Sequence, residues 1–322
     1  MAHLAQLAPE KLNNLQGLSA FVLLLIGFGV KAELFPVNAW VAEVYATTSS
    51  RVTALLTGIV SKLALVVIVR LLVLVFHQSE ALQLMLILGV LGIITGELAA
   101  WRARDINRML AYSSIGQLGV MFVAFSIPGQ AGVFAGLAVA LHHMIVKPAM
   151  FMLATKWGGS TARLAGAAKV SPLSAGLFVL LALSLIGVPP LPGFWAKLLL
   201  LTQLTQQVSS LYLFAGAVIL LAAVLEVNYL FRVAASLYRA DDQSSENLSS
   251  GDLPSEHQTS NHQPVAVSAP HGKDLAVASG LAVILLLTMI MIVPVSNSVK
   301  HIANQAADSQ LYIKATGLKV LP

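Results

Sequence analysis

The sequence predicts an all-α integral membrane protein of about eight transmembrane helices, two of them broken. Three observations carry this expectation. Of 322 residues, 57% are apolar and only 10% are charged, against about 25% charged in an ordinary soluble domain. The apolar residues gather into runs close to the ~20 residues a helix needs to cross the hydrocarbon core. The Lys and Arg residues are divided unequally between the two sets of connections.

The elements follow in order. Residues 1–16 form an N-terminal segment, and 17–239 an apolar core. Residues 17–47 are apolar from Leu18 to Val30, are interrupted by Lys31, Glu33 and Pro36, and resume as Val37 to Ala46. Unbroken runs follow at about 51–76, 81–101, 106–126 and 131–156. The second broken helix, 173–205, is interrupted at Val188-Pro189-Pro190-Leu191-Pro192-Gly193, and a further span covers 210–238. Residues 240–273 are rich in Ser, Asp, Glu, Gln, Asn and His, the composition of a disordered loop. A last span at 274–296 leads into a polar tail, 297–322, read as a short surface helix. With the N-terminus outside, the inner connections hold Arg51, Arg102, Arg104, Arg108, Lys156, Arg163, Lys169, Arg239 and Lys273, and the outer ones only Lys11, Lys300, Lys314 and Lys319. That asymmetry predicts both termini outside the inner (plasma) membrane and the 240–273 loop cytoplasmic.

Six basic residues fall within spans: Lys31, Lys62, Arg70, Lys147, Lys197 and Arg232. A lysine at bilayer depth costs ~2.5–3.5 kcal/mol on insertion scales, so each needs water, a partner or a task. Lys31 and Lys197 sit at the helix breaks, and irregular backbone at membrane depth lines a hydrated cavity or is buried in protein. Lys147 follows His143 by one turn on one helix face. A file of imidazole and amine groups can hand protons along through water. Glu226 lies mid-span. These observations nominate Lys31, Lys62, His143, Lys147, Lys197 and Glu226 as a proton path. Arg70 and Arg232, near span ends, read as snorkelling side chains. His142 points to another face and reads as a packing residue, and Glu97 reads as interfacial. Lys31 with Glu33 allows a static ion pair at the first break.

Other chemistries lack support. Without cysteine the chain offers no disulfide, iron–sulfur or thiolate–zinc site. Neither a phosphate-binding Gly-rich loop nor a hydrolase motif is present. No cofactor or metal is expected; His257, His262 and His271 lie in the polar loop and read as solvated. The basic residues are too scattered for a nucleic-acid surface, so the expected partners are the lipid bilayer and other membrane subunits.

The run Asp105-Ile106-Asn107-Arg108-Met109-Leu110-Ala111-Tyr112-Ser113-Ser114-Ile115-Gly116-Gln117-Leu118-Gly119 resembles the D-[LI]-K-R-x-L-A-Y-S-S-[IV]-x-Q-x-G signature of the antiporter-like proton-translocating membrane subunits. That superfamily holds subunits of respiratory complex I, membrane-bound hydrogenases and Mrp-type cation/proton antiporters. Three more stretches agree in the family's order: Val30 to Trp40 at the first break, His143-x-x-x-Lys147-Pro148-Ala149-Met150-Phe151, and Gly187-Val188-Pro189-Pro190-Leu191-Pro192-Gly193-Phe194-Trp195-Ala196-Lys197. The resemblance covers about residues 17–240.

The resemblance implies two inverted five-helix repeats, here one full repeat plus the end of the other. It assigns Lys31 to the first half-path, Lys62 to the link toward the centre, His143 and Lys147 to the central axis, and Lys197 to the second half-path. Two departures stand out: Asn107 replaces the signature lysine, and Trp40-Val41-Ala42-Glu43 replaces W-L-P-D. The chain also begins where the family's seventh helix does, so a separate chain or a longer gene would supply the earlier helices and their glutamate. The implied function is a proton-translocating subunit of an NADH-quinone oxidoreductase-like complex, with any electron transfer in partner subunits. A D-like Mrp cation/proton antiporter subunit and a non-conducting remnant are the alternatives.

Overall fold

The computed structural model describes residues 2–76, 78–154, 157, 159–240 and 272–315. The expected disordered loop lies almost wholly outside the described residues, as do Lys156, Lys319 and the loop histidines. Among the described residues the regular structure is helical. Helix α1 (Ala2–Lys11) precedes α2 (Leu15–Lys31), whose N-cap Asn14 accepts from the Gly17 amide. Then come α3 (Val41–Thr47), α4 (Ser50–Leu74), α5 (Ser79–Arg102), α6 (Ile106–Ser126) and α7 (Gly129–Ala154). Helices α8 (Pro172–Ile186) and α9 (Pro192–Thr205) each begin with a proline in the first turn, where its missing N–H costs nothing. Helices α10 (Ser210–Tyr238), α11 (Gly272–Ile290), α12 (Ile292–Ala307) and α13 (Ser309–Ala315) are the last among the described residues.

Six of these helices, α4, α5, α6, α7, α10 and α11, are long and apolar enough to cross a membrane. The apolar helices α2 and α8 are shorter, and each is followed by a break and another short helix. The two breaks share one backbone motif. Helix α8 ends with Gly187 in the left-handed region (φ 94°), and the Val188 amide reaches back to the Leu183 carbonyl at 3.0 Å. Helix α2 ends with Glu33 at φ 58°, and the Leu34 amide reaches back to the Gly29 carbonyl at 2.9 Å. Both are Schellman turns, which satisfy carbonyls that the helix end would leave orphaned in lipid.

Connections gather at two ends of the bundle. At one end the Ile106 amide bonds the Gly159 carbonyl, Thr161 bonds Arg104, Gly166 bonds Arg239, and Arg51 pairs with Asp274 at 2.9 Å. Here lie Arg51, Arg102, Arg104, Arg108, Lys169, Arg239 and Lys273. At the other end Gln78 donates to the Leu12 carbonyl at 2.7 Å, and Tyr212 to that of Ser126 at 2.6 Å. Helices α2 and α8 therefore start from opposite ends.

Helix α6 is buried nearly all round, with α5 and α7 packed on it. The α5–α6 contact is close because glycines face each other: a Cβ on Gly119 would lie 2.6 Å from the Gly89 carbonyl oxygen, and one on Gly96 2.5 Å from the Gly116 amide. Small residues let backbones approach where lipid supplies no hydrophobic drive between helices. The outer faces of α2, α10 and α11 expose Leu23, Phe214, Leu221, Phe231 and Ile284, as lipid-facing surfaces do.

Two arginines are placed differently from the snorkelling expectation. The Arg70 guanidinium stacks on the Tyr312 ring, 4.8 Å from its centroid. Arg232 donates to the carbonyls of Trp101 (3.0 Å) and Ala103 (3.2 Å), capping the end of α5. Replacing Gly119 by Ala forces α5 and α6 apart, at an expected cost of about 1–3 kcal/mol. Gly280→Ala, with nothing within 4 Å of the new methyl, is expected to be neutral or to stabilise by up to about 1 kcal/mol. The thermal unfolding midpoints of the two variants in detergent test this ordering.

Candidate functional site

The buried helices carry three acids and three lysines in one row: Glu33, Glu97 and Glu226 with Lys62, Lys147 and Lys197. Glu33 and Lys62 interact electrostatically with each other and with Lys147. Lys147 in turn senses Glu97, Glu226 and Lys197. The groups thus run from the first break, through α4 and α7, to α5, α10 and the second break.

At the second break Lys197 donates to Glu226 Oε2 at 2.5 Å and to the Ile186 carbonyl at 3.1 Å. That carbonyl belongs to the last turn of α8, so the lysine also fills the end of the broken helix. The other oxygen, Glu226 Oε1, accepts from Gln117 Nε2 at 2.6 Å. Glu97 is buried against α6, where the missing side chain of Gly116 makes its room: a Cβ there would sit 2.4 Å from Glu97 Oε1. The Tyr229 hydroxyl donates to Glu97 Oε2 at 2.9 Å and lies 2.8 Å from Ser113 Oγ.

Ser113, Gly116 and Gln117 all come from the fifteen-residue run on α6, which thereby acts as a cradle for two buried carboxylates. The same run starts with Asp105, whose side chain caps α6 by accepting from the Arg108 amide at 2.9 Å. Arg108 pairs at the surface with Glu43 at 2.7 Å.

The centre is held by irregular backbone. Helix α4 contains a π-helical turn, Leu56–Val60, and α7 contains Pro148 in its interior. The two meet: a Cβ on Gly58 would lie 2.8 Å from Pro148 Cγ. The π turn presents the Thr57 carbonyl to Lys62 Nζ at 2.5 Å, and Lys62 also donates to Ser61 Oγ at 3.1 Å. Lys147, fully buried, donates to the Leu110 carbonyl at 3.2 Å. His143 interacts electrostatically with both lysines, and neither ring nitrogen has a hydrogen-bond partner among the described residues.

The structure thus brings together Lys62, His143, Lys147, Lys197 and Glu226, as the sequence pattern nominated them. Lys31 stands apart: it ends α2, is exposed, and its side chain makes no hydrogen bond or ion pair among the described residues. Glu33 does not pair with it. The left-handed turn carries Glu33 inward, where Tyr45 donates to Oε1 at 2.5 Å. Glu97 is buried rather than interfacial; its place one turn before Trp101-Arg102 concealed it. His142 bonds Ser184 Oγ through Nε2 at 2.9 Å, in keeping with a packing role. Tyr45, Tyr229 and Gln117 carry no sequence signal of their own beyond, for Gln117, its place in the run on α6.

Residues 1–225 match the family described as NADH:quinone oxidoreductase/Mrp antiporter, TM. The chain belongs to that family. Its fold and its place among membrane antiporter-like subunits of the complex I, hydrogenase or Mrp type agree with the resemblance of the α6 run. NADH-quinone oxidoreductase subunit N of Desulforudis audaxviator is 31% identical over 247 residues, which cover 74% of this chain and 49% of that protein. The hydrogenase-4 component F homolog of Methylacidiphilum infernorum is 32% identical over 191 residues, 57% of this chain and 40% of the relative. The chain spans about half the length of these relatives or less. Among solved structures, the Mrp complex of Dietzia sp. DQ12-45-1b contains a chain that superposes with a TM-score of 0.83 and 25% identity, over 98% of this chain and 63% of that one. A chain of the archaeal membrane-bound sulfane sulfur reductase gives 0.79 and 27%, over 97% and 61%.

Removing one member of the Lys197–Glu226 pair leaves a buried charge unpaired. Lys197→Leu is expected to cost about 3–5 kcal/mol, and the double variant Lys197→Leu/Glu226→Leu to recover most of that loss. Arg108→Ala, at an exposed pair, is expected to cost less than about 1 kcal/mol. Unfolding midpoints in detergent report all three.

Proposed function

We propose that this chain is a proton-translocating subunit of a multi-subunit membrane complex of the NADH-quinone oxidoreductase type. Protons move between Lys62, His143, Lys147, Glu226 and Lys197 through intervening water. The observation that carries this is the buried row itself: lysines and carboxylates are interspersed across the bundle, at a depth where a charge without a task is costly. The unpartnered nitrogens of His143 support the reading, because a buried imidazole that reaches no protein partner is suited to water on both sides.

The driving interaction is pairwise electrostatics. Two unit charges 4 Å apart at an effective dielectric near 20 interact by ~4 kcal/mol, about 3 pK units. Gain or loss of charge at one member therefore loads or unloads the next. The Lys197–Glu226 pair is the closed arrangement of its end of the row. It opens when Lys147 or Glu97, both in electrostatic contact with Glu226, changes charge. The basic end of the bundle is cytoplasmic in this reading. Cysteines introduced at Ala240 and Gln310, in a chain with none of its own, are then labelled from the inside and the outside respectively; the reverse pattern overturns the orientation.

A second reading is favoured by the superposition on a chain of the Dietzia Mrp complex over 98% of the length. In it the same row exchanges protons for a monovalent cation, driven by ion gradients alone. Membrane vesicles carrying the assembled complex separate the two: proton uptake that needs an electron donor supports the first, and uptake driven by an imposed sodium or potassium gradient supports the second. Lys197→Arg keeps the cation and the ion pair but cannot release its proton. It is expected to lower proton transport at least about tenfold with the complex still assembled. Unchanged pumping and unchanged antiport in that variant would instead mark a non-conducting remnant.

A further inference from the structure

The two breaks place different residues at the same backbone position. Gly187 holds the left-handed site after α8, the usual occupant of that position in a Schellman turn. After α2 the site is held by Glu33, a residue whose Cβ makes positive φ unfavourable. The same side chain is only 2% exposed. Both features work against stability, so the position is occupied at a cost that a glycine would avoid.

What the left-handed turn achieves is direction. It aims the carboxylate away from Lys31 and into the bundle. Oε1 is held by the Tyr45 hydroxyl at 2.5 Å, and Tyr45 is itself fixed edge-on against the Trp40 and Phe151 rings, 6.2 and 5.7 Å between centroids. Oε2 is buried and has no hydrogen-bond partner within normal reach among the described residues. The other neighbours of the carboxylate are the Ser61 hydroxyl and, electrostatically, Lys62 and Lys147. Lys62 makes no direct salt bridge with Glu33 among the described residues; its Nζ donates to Ser61 Oγ at 3.1 Å. The Ser61 hydroxyl donates only weakly elsewhere, to the Thr57 carbonyl at 3.3 Å. A hydroxyl that accepts from an ammonium and faces an unpaired carboxylate oxygen is a bridge between the two.

We propose that Glu33 is a proton-exchanging member of the buried row, trading a proton with Lys62 across the Ser61 hydroxyl. This rests on the proton-translocating function proposed above. In the transfer, a proton passes from Lys62 Nζ to Ser61 Oγ as the Ser61 proton passes to Glu33 Oε2. The products are a neutral amine and a carboxylic acid, with no change in net charge, and the reverse step restores the pair. Tyr45 is a positioning residue: it holds one carboxylate oxygen so that the other faces Ser61.

Glu33→Gln tests this in vesicles carrying the assembled complex. The amide oxygen still accepts from Tyr45, but the side chain cannot exchange a proton. The expected result is a loss of proton transport of about a hundredfold or more, the range that positioned acid–base groups supply. Assembly should be retained, transport is read per assembled complex, and Glu33→Asp should restore part of the rate. A purely structural glutamate predicts the opposite: transport per assembled complex unchanged. Ser61→Ala leaves both charges in place and is expected to slow transport several-fold; it decides the matter if Glu33→Gln does not assemble. Normal transport in Glu33→Gln, or in Ser61→Ala where that variant decides, overturns the proposal while Lys197→Arg remains blocked. Normal transport in Lys197→Arg as well removes the functional reading on which it rests.

Discussion

A low-dielectric bundle cannot hold an uncompensated charge, and this constraint orders the molecule. Three carboxylates and three lysine side chains lie within the buried row, so their formal charges balance. Taken one at a time, each would be among the costliest residues a membrane helix can carry. Taken together they compensate, but only Lys197 and Glu226 do so by direct contact. The others face one another across hydroxyls, carbonyls and an unpartnered imidazole. Compensation at a distance holds the groups in the bundle without locking each proton to one partner, the arrangement that buried acid–base chemistry needs.

The packing of α5 on α6 and the chemistry of the row are one problem. Gly116 and Gly119 bring the α5 backbone close, and the same closeness leaves Glu97 with no escape to lipid. The carboxylate then has to be satisfied from within, by Tyr229 and, through it, Ser113. Gln117, three residues after Ser114 on the same helix, does the corresponding work for Glu226. A run that looks like a sequence signature is, in physical terms, a strip of small and amide side chains cut to hold two acids.

Much of this was legible in the residues, for identifiable reasons. Apolar runs set the spans because a bilayer demands length and apolarity together, and the predicted limits of 81–101 and 106–126 meet Ser79–Arg102 and Ile106–Ser126 closely. Lysines inside such runs stand out at once, so Lys62, Lys147 and Lys197 were found from cost alone. Acids near helix ends do not stand out. Glu97 sits beside Trp101 and Arg102, as an interfacial residue would, and only the packing of α5 on α6 buries it. Glu33 was visible as a charge but not as a direction: its sequence neighbour Lys31 suggested an ion pair, and one positive φ sends the two side chains apart. Arg70 and Arg232 illustrate the same limit, since their partners, Tyr312 and the carbonyls of Trp101 and Ala103, are remote in sequence.

The irregular backbone has a common logic. A regular helix commits each carbonyl to one of its own amides, so a carbonyl freed at a break or a bulge is the readier acceptor for an ammonium. At the second break the end of α8 offers the Ile186 carbonyl to Lys197. At the centre the π turn of α4 offers the Thr57 carbonyl to Lys62, and Pro148, lacking an N–H, opens the ladder of α7 beside Lys147. Lys62 and Lys197 therefore take their acceptors where helical hydrogen bonding is interrupted, while Lys147, beside Pro148, reaches the Leu110 carbonyl of the unbroken α6. The interruptions are also the places where a small backbone adjustment costs least, because the bond it would break is not made. Lysine position and helix irregularity are consequently coupled: the defects that make room for the cations are the points at which their contacts can change.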